Sequence, residues 1–427
     1  MKGPNSSRCR LAESFFARQI STEKIEKRTE GFPSWLEIDL DAITHNLEQV
    51  RKRVRVEVIP CVKTNAYGHG LVPVVAHMMT KGVNQFLVAK LWEAEQIRDA
   101  GLECGVICMD PLFSNEQLET VVDRGITQTV YQKGTADCLN SVAGKLEKKA
   151  RVWVKIDTGL GRVGVRWGDA VTLVRYISSL PHLEITGLFS TLSEDAELDR
   201  IQVDKLIDVS NELDGIGVRY GIRSMASGNA VFHRSFTFLD AVRPGLMLYG
   251  FYPDPEDRDS GLDLRQAVAF KARIEQVKWV EAGESLTYSR RFTASARMKV
   301  GTVHIGYSDG YPRGLTRKGL VKVGGVVKPV LGTVSVNHFL VDLDGTDVEV
   351  GGIVEAIGRE GENNAHKVAE LAGIMTYSLM VGLHPLLPRV YLKNGKPVAL
   401  SEPRLVERRV GHQDLNRGSV YGSEGPG

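Results

Sequence analysis

Short apolar runs alternate with amphipathic stretches from about residue 35 to residue 265. The apolar runs predict eight strands, with the sequences VEVIPCV, QFLVA, GVICM, TQTVY, RVWVKI, LEITGLF, YGIRSMA and FLDAVRP. Helical periodicity between them predicts helices, for example in LWEAEQIRDAG, SNEQLETVVDRG, WGDAVTLVRYISSL and DAELDRIQVDKLIDVSNELDG. Strands that are apolar almost throughout, separated by helices, are typical of a (β/α)8 barrel rather than of a doubly wound sheet.

A strand of sequence WLEIDL and a helix of sequence DAITHNLEQVRKR precede these eight units. In that helix Ile43, Leu47 and Val50 fall on one face, and Asp41 is the predicted N-terminal cap.

The pattern changes after about residue 265 to Val- and Gly-rich segments with residue-by-residue alternation, which predicts a mainly antiparallel β domain. NNAHKVAELAG predicts one short helix inside it. We therefore divide the chain into a flexible N-terminal arm over residues 1–34, disordered or packed on the surface, a barrel over 35–265, a β domain over 266–400 and a flexible tail over 401–427. The arm lacks the continuous apolar core of a secretory signal.

The overall charge excludes two classes of partner. The 54 basic and 52 acidic residues give a formal net charge of +2, which provides no global attraction to nucleic acid or to a membrane surface. The five cysteines are few, odd in number and scattered, which argues against a disulfide framework and favours a cytoplasmic location. Cys104 and Cys108 lack further Cys or His residues at ligand spacing, so we expect core residues there and no metal site.

Reactive groups of a barrel gather at the carboxyl ends of its strands. The residues found there are Lys63 and Tyr67 after the first strand, Lys155 and Arg162 after the fifth, Ser190 and Thr191 after the sixth, Ser227 and Gly228 after the seventh, and Arg243 after the eighth. An amine, two guanidinium groups, hydroxyls and glycine amides suit a phosphorylated ligand with a carbonyl to which the amine bonds covalently. Taken singly, each also has a structural explanation, such as a lysine stem reaching solvent or an ordinary salt bridge.

Eight segments in order resemble the landmarks of one family. They are WLEIDLDAITHN, VKTNAYGHG, KIDTGLGRVGV, VRPGLMLYG, GESLTYS, IGYSDGYPRGL, GTVSVNHFLVDL and LLPRVY. The resemblance is to the alanine racemase family and runs from about Trp35 to Tyr391, which is most of the chain. The resemblance implies a barrel followed by a β domain, pyridoxal 5'-phosphate as cofactor, and a cytoplasmic homodimer with shared active sites. The implied reaction is interconversion of L- and D-alanine by two-base transfer of the α-proton.

The resemblance also implies roles for five residues that act on the substrate or on the cofactor ring. Lys63 corresponds to the lysine that binds the cofactor covalently and acts as one base, and Tyr288 to the second base, supplied by the other subunit. Arg243 corresponds to the arginine that donates to the pyridine nitrogen, and Arg162 to the residue near the substrate carboxylate. Lys155 corresponds to a lysine that is carbamylated in many members.

For the cofactor phosphate, the resemblance implies the hydroxyls of Tyr67 and Tyr377 and the backbone at Gly228, Gly245 and Leu246. Tyr307 and Val336 correspond to residues that line the substrate entrance and pocket.

Three positions depart from the alanine-specific pattern. Thr191 stands where the family has a histidine, Ser227 and Gly228 replace an Asn-Ser pair, and Val336 and Asn337 replace Met-Asp. The alternatives are therefore a broader-specificity or serine racemase of the same fold, or a cofactor-binding paralogue with little racemase activity. A decarboxylase on the same plan is less favoured, because GESLTYSRRF carries no cysteine near the catalytic tyrosine.

Overall fold

The structure, a computed structural model, describes residues 4–402. Its N-terminal part contains the elements α1 (Pro4–Ala17), α2 (Thr22–Thr29), β1 (Ser34–Asp39), α3 (Leu40–Val54), β2 (Glu57–Val58), α4 (Lys63–Tyr67), α5 (Leu71–Thr80), β3 (Gln85–Val88), α6 (Leu91–Asp99), β4 (Gly105–Cys108), α7 (Asn115–Asp123), β5 (Thr127–Val130), α8 (Lys133–Lys145), β6 (Ala150–Asp157), β7 (Val165–Arg166), α9 (Trp167–Ser178), β8 (Leu183–Phe189), α10 (Ala196–Gly215), β9 (Ile222–Ser227), α11 (Gly228–His233) and β10 (Ala241–Arg243).

Eight of these strands form a parallel barrel in the order β2-β10-β9-β8-β6-β5-β4-β3. It closes between the chain after β2 and β3, where the Val62 amide donates to the Leu87 carbonyl at 2.9 Å and the Leu87 amide donates to the Pro60 carbonyl at 2.9 Å. The predicted barrel and its eight strands are confirmed. The first strand is short because Pro60 has no amide hydrogen to donate to the ladder.

The described part of the N-terminal arm is packed on the surface, which was one of the two alternatives for it. Helix α1 lies against α5, and Ile25 of α2 is fully buried with Trp35 and Val390. Burial of this apolar surface stabilises the arm against the conformational entropy of a free segment. Residues 403–427, most of the predicted flexible tail, lie outside the described residues.

The N-terminal cap of α3 differs from the prediction. Asp39, not Asp41, accepts the amides of Asp41 and Ala42, at 2.9 and 3.1 Å. The helix begins one residue before Asp41, at Leu40, so only Asp39 has the extended backbone that a cap requires.

The C-terminal elements are β11 (Val268–Val280), β12 (Ser285–Leu286), β13 (Phe292–Thr293), β14 (Met298–Val303), β15 (Leu320–Val323), β16 (Val326–Leu331), β17 (Phe339–Asp342), β18 (Ile353–Ile357), α12 (Ala365–Ala372), α13 (Thr376–Gly382), β19 (Arg389–Lys393) and β20 (Lys396–Ser401). Their sheet has the order β14-β17-β16-β15-β18-β11-β1-β19-β20, and β14 also pairs with β11. All its pairs are antiparallel except β1 with β19, which confirms the predicted mainly antiparallel domain. Strand β1, inside the range predicted for the barrel, belongs to this sheet.

A small cluster fills the barrel interior and forms the floor below the mouth. It consists of the buried side chains of Ile59, Leu87, Ile107, Trp153, Phe189 and Ala241. Successive side chains of a strand point to opposite faces, so Lys155 shares the inward face of β6 with Trp153. Among residues 4–402, no helix is long and apolar enough to cross a bilayer.

Candidate active site

A cavity of about 360 Å³ opens at the carboxyl ends of the barrel strands. Four of the residues to which the resemblance assigns a role line it: Lys63, Lys155, Arg162 and Arg243. Further lining residues are Cys61, Leu87, Ala89, Lys90, Met109, Asp110, Pro111, Thr129, Tyr131, Val163, Phe189, Thr191 and Ser227. The lining thus carries five basic side chains and one carboxylate, an arrangement that attracts an anionic ligand.

Lys63 begins α4, a single turn with unusual backbone geometry. Its next four residues, 64–67, all have positive φ between 51° and 55°. The left-handed conformation costs about 1–2 kcal/mol for each residue with a side chain. Such strain persists only where the surroundings over-determine the backbone, and it concentrates at functional sites.

The buried carboxylate of Glu93, on α6, holds this turn from the barrel side. It accepts the amide of Asn65 at 3.2 Å through one oxygen and those of Ala89 and Lys90 at 3.0 and 3.1 Å through the other. The turn behind Lys63 is thereby tied to the end of β3.

The β domain holds the same turn from the other side. Arg389 is buried and its Nε donates to the Gly68 carbonyl at 2.8 Å. A Cβ on Gly70 would lie 1.8 Å from the hydroxyl oxygen of Tyr391, so only glycine fits there. Residues of both domains therefore fix the position of Lys63.

Replacing Glu93 with alanine should destabilise the protein by about 2–4 kcal/mol, because three amides lose their acceptor. Urea unfolding followed by tryptophan fluorescence measures the change. Glu116→Ala, at an exposed position in the first turn of α7, is the control and should change stability by less than about 0.5 kcal/mol. Equal midpoints for the two variants would contradict the assigned role of Glu93.

Lys155 is buried at the cavity floor without an acidic partner within 4 Å among the described residues. Its Nζ donates to the Thr191 hydroxyl at 2.8 Å and lies 4.6 Å from the centre of the Phe189 ring. Burial, together with the guanidinium groups of Arg243 and Arg162, lowers the pKa of Lys155 to about 7. A large fraction of this amine is therefore neutral at neutral pH.

Arg243 is the second buried cation of the cavity. Its guanidinium donates to the Ser224 hydroxyl at 2.5 Å and to the Ser190 carbonyl at 2.6 Å, and it stacks above Phe189 at 5.0 Å. Burial lowers its pKa to about 10, so the group stays charged at neutral pH. All its protein partners are neutral oxygens, which leaves its charge uncompensated beside the cavity.

The residues predicted to hold a phosphate lie close to one another. A Cβ on Gly245 would sit 2.5 Å from the hydroxyl oxygen of Tyr67, and one on Gly228 would sit 3.7 Å from the Gly245 nitrogen. The ring of Tyr377 is 6.2 Å from that of Tyr67. Burial raises the pKa of Tyr377 to about 12 and that of Tyr67 well above 10, so both phenols remain hydrogen-bond donors. Leu246, next to Gly245, opens a 3₁₀ turn whose first amides lack intrahelical acceptors.

Tyr288, Tyr307 and Val336 do not line this cavity. They lie on the surface of the β domain, with 74%, 43% and 47% of their residue surface exposed. Tyr307 and Val336 occupy adjoining turns, in which the Tyr307 amide donates to the Ser335 carbonyl at 3.1 Å. Tyr288 follows Thr287, which has a φ of 64°, in a left-handed loop. One copy of the chain therefore brings together only part of the predicted site.

Sequence reasoning missed several residues that shape the cavity. Asp110 accepts the Leu91 amide at 3.0 Å and lies 3.6 Å from the Lys90 amine, and both side chains line the cavity. Phe189 lies under both buried cations. Lys90 and Asp110 each follow a predicted strand, so their position at a strand end was the available signal.

The chain is similar to known proteins over most of its length. Family models described as "Alanine racemase, N-terminal domain" and "Alanine racemase, C-terminal domain" match residues 38–253 and 267–391. A curated "Alanine racemase" of Clostridium perfringens is 33% identical over 375 residues, covering 86% of this chain and 97% of the relative. "Alanine racemase 1" of Clostridium acetobutylicum is 32% identical over 379 residues, covering 86% and 97%. The solved structure of an alanine racemase from Clostridium difficile 630 superposes with a TM-score of 0.82 at 29% identity, covering 87% of this chain and 98% of that one.

Proposed function

The chain belongs to the alanine racemase family, and we propose that it interconverts L- and D-alanine with pyridoxal 5'-phosphate held in the cavity at the barrel mouth. The observation that carries this proposal is the convergence of Lys63, Lys155 and Arg243 on one cavity in which five of the six charged lining residues are basic. An amine for a covalent link, a buried guanidinium and an anion-attracting surface are the groups that such a cofactor requires.

The residues present fit the cofactor. The Tyr67 hydroxyl lies so close to the Gly245 backbone that a side chain at residue 245 would clash with it. A phenol beside a glycine backbone is an arrangement that can bind a compact anion. The hydroxyls of Tyr67 and Tyr377 and the backbone amides at Gly228, Gly245 and Leu246 would hold the phosphate. Arg243 would donate to the ring nitrogen, because it is charged, buried and without an acidic partner within 4 Å among residues 4–402. Lys63 would form the covalent link.

When bound, pyridoxal phosphate supplies a carbonyl for the amino group and a conjugated ring that delocalises the charge left after removal of the α-proton. Lys63 Nζ, freed from its covalent link once the substrate amine has taken its place, would take the α-proton from one face of the substrate carbon, and Tyr288 Oη of a second copy of the chain would donate one from the opposite face. The reverse direction exchanges these roles, so each group acts as both acid and base. Arg162, at the cavity edge, orients the substrate carboxylate.

The exposure of Tyr288 supports a homodimer with shared sites. A catalytic tyrosine with 74% of its surface exposed in one copy needs a second copy to bring it to a cavity. Tyr307 and Val336, also exposed on the β domain, would enter the same cavity and form the substrate entrance.

Proton NMR in D2O tests the proposal directly. The protein with pyridoxal phosphate should exchange the α-hydrogen of L-alanine and yield D-alanine, which a D-amino-acid oxidase assay detects. Loss of the α-proton signal without D-alanine would indicate proton removal without inversion. No exchange with L-alanine, L-serine, L-lysine, L-arginine or L-glutamate would contradict the racemase assignment.

A broader-specificity or serine racemase is the second candidate, because the pocket turn carries Val336 and Asn337. The Asn337 amide donates to the Ser308 hydroxyl at 2.9 Å, so this turn presents a neutral polar group where the family pattern has a carboxylate. The same NMR panel separates the two candidates. Exchange confined to L-alanine supports alanine specificity, and exchange that is faster with L-serine supports the alternative.

We expect Lys155 to carry a carbamate. Its neutral amine attacks CO2, a nitrogen–carbon bond forms, and one amine proton leaves to water, which places an anion beside Arg162 and Arg243. The pKa of about 7 makes the amine mostly protonated at pH 6 and mostly neutral at pH 8, so at constant dissolved CO2 the carbamate should increase across this range.

Carbon-13 NMR with labelled bicarbonate should show one carbamate signal at pH 8 and a weaker one at pH 6. Lys155→Met should abolish it, and Lys90→Met, a change at a lysine with 58% side-chain exposure, should preserve it. A signal that survives Lys155→Met would assign the carbamate to another lysine.

A further inference from the structure

Two histidines and one glutamate meet on the β domain, outside the barrel cavity. Among the residues whose side chains the structure describes, 10–402, Glu275, His304 and His338 are the one group of three such side chains whose potential ligand atoms all lie within 4.8 Å of one another. From this arrangement we propose a binding site for a divalent transition-metal ion, of the class of Zn²⁺ or Co²⁺. The ion would take no part in the proposed racemase chemistry, although the site adjoins the turn that carries Val336.

Three neighbouring strands bring these residues together. His304 follows β14 directly and His338 directly precedes β17, and the two strands pair through Val303 and Phe339. Glu275 comes from β11, on the other side of β14, at a register shift between Ile274 and Gln276. The Glu275 carboxylate lies at this irregularity and contacts both histidines. Glu275 lies within a strand, and each histidine is the residue next to the end of a paired strand, so the strand pairing fixes the backbone positions of all three.

Both histidines contact the carboxylate of Glu275. His304 Nδ1 is 2.9 Å and His338 Nε2 is 3.0 Å from separate oxygens of Glu275. The two imidazole rings meet edge-on, with centroids 4.8 Å apart. Donors at about 2.0–2.2 Å from a tetrahedral zinc are separated by roughly 3.3–3.6 Å, so small side-chain rotations suffice to surround an ion.

The donor set selects the class of ion. Imidazole nitrogen is a preferred ligand of zinc, cobalt, nickel and copper, whereas magnesium and calcium prefer oxygen donors. Two histidines and one carboxylate leave a fourth position for water. Each of the three side chains is about 40% exposed, which gives an ion a path from solvent.

The sequence held no sign of this site, because its ligands are far apart along the chain. Glu275 and His304 are 29 positions apart, and only the strand pairing makes them neighbours. The absence of a metal site was inferred from cysteine and histidine spacing, a criterion that detects ligands on one local segment.

The position of the site predicts what a bound ion stabilises. The turn Ser335–His338 is closed by the Ser335 amide donating to the His338 carbonyl at 2.8 Å, and the Ser308 hydroxyl donates to the Val336 carbonyl at 2.8 Å. An ion would join this turn to the segment that continues from His304 to Tyr307. Metal binding should therefore raise the thermal midpoint of the protein.

Equilibrium dialysis against Zn²⁺ tests the proposal, with elemental analysis of the retained ion. The full-length protein should be free of histidine tags, loaded with pyridoxal phosphate and kept in a non-chelating buffer with excess Mg²⁺. We expect one zinc per chain at micromolar concentrations. His304→Asn and His338→Asn should each weaken binding by at least about 100-fold, since even indirect partners of a metal site contribute 10–100-fold.

The matched control is His45→Asn. His45 is also paired with a carboxylate, that of Asp263 at 3.1 Å, but it belongs to no group of three ligands among the described residues. The proposal would be overturned if zinc binding were unchanged in both site variants. It would also be overturned if the unmodified protein retained no zinc at a 100-fold higher zinc concentration. X-ray absorption of the zinc-loaded protein provides a readout that does not depend on variants: two imidazoles in the first shell support the site, and their absence refutes it.

Discussion

Replacing Lys63 with alanine should abolish covalent attachment of pyridoxal phosphate and lower the racemase kcat by about 10³-fold or more. The variant loses the amine proposed both to link to the cofactor and to be one of the two groups that move the α-proton, and positioned acid–base groups contribute about 10²–10⁴-fold each. The measurement is borohydride reduction of the protein loaded with pyridoxal phosphate, followed by proteolysis and mass spectrometry. In the unmodified protein a single pyridoxyl group should appear on the peptide that contains Lys63, and the Lys63→Ala variant should carry none.

Two other lysines provide the controls for this experiment. Lys90 and Lys155 line the same cavity, so position in the cavity does not distinguish them from Lys63. Lys90→Ala should retain the pyridoxyl group on Lys63, because the Lys90 side chain is 58% exposed and lies at the cavity edge. A label on Lys90 or Lys155 in the unmodified protein would refute the assignment. So would undiminished racemisation by the Lys63 variant.

Mixing two inactive variants should restore about one quarter of the activity. Lys63→Ala and Tyr288→Phe homodimers should each be slowed by about 10²-fold or more. If each site combines Lys63 of one copy with Tyr288 of the other, a mixed dimer has one site with both native residues and one with neither. Random exchange makes half of the dimers mixed, and half of their sites are intact. The reason to expect sharing is that Tyr288 is 74% exposed and does not line the cavity of its own chain.

The measurement is alanine racemisation before and after unfolding and joint refolding of the two variants. Tyr176→Phe is the matched control, since its hydroxyl lies on α9 and donates to Asp137 at 2.5 Å, away from the cavity lining. The Tyr176→Phe variant should keep native activity. Joint refolding with Lys63→Ala should give no gain over the activity that the Tyr176→Phe chains contribute before mixing. No gain of activity in a mixture proven to contain mixed dimers would mean that Tyr288 acts within its own chain or not at all.

The barrel was predictable because its strands are buried on both faces. Such strands appear as continuous apolar runs, and eight of them in alternation with helices allow few architectures. The sheet membership of β1 was not predictable in this way. Its partners β11 and β19 lie more than 220 residues further along the chain, and no local pattern encodes that pairing.

The candidate site divides in a similar way. Four predicted residues meet at one cavity because the carboxyl ends of parallel strands converge there, which strand order alone implies. The left-handed turn behind Lys63 and its supports Glu93 and Arg389 depend on contacts across 28 and 321 residues, so the sequence showed no trace of them. The roles assigned to Lys63 and Tyr288 stay predictions until the experiments above are made.

The sequence by itself determined the two-domain architecture and the residue types at the barrel mouth, because periodicity and strand order are local properties of the chain. Only the tertiary structure decided the chemical state of those residues. The pKa of Lys155 is lowered to about 7 because its amine is buried and two guanidinium groups, those of Arg243 and Arg162, lie nearby. The sequence around Lys155 indicates neither the burial nor these neighbours. The same holds for the exposure of Tyr288 and for the meeting of Glu275, His304 and His338. These features arise from long-range packing, in which groups distant along the chain share one local environment.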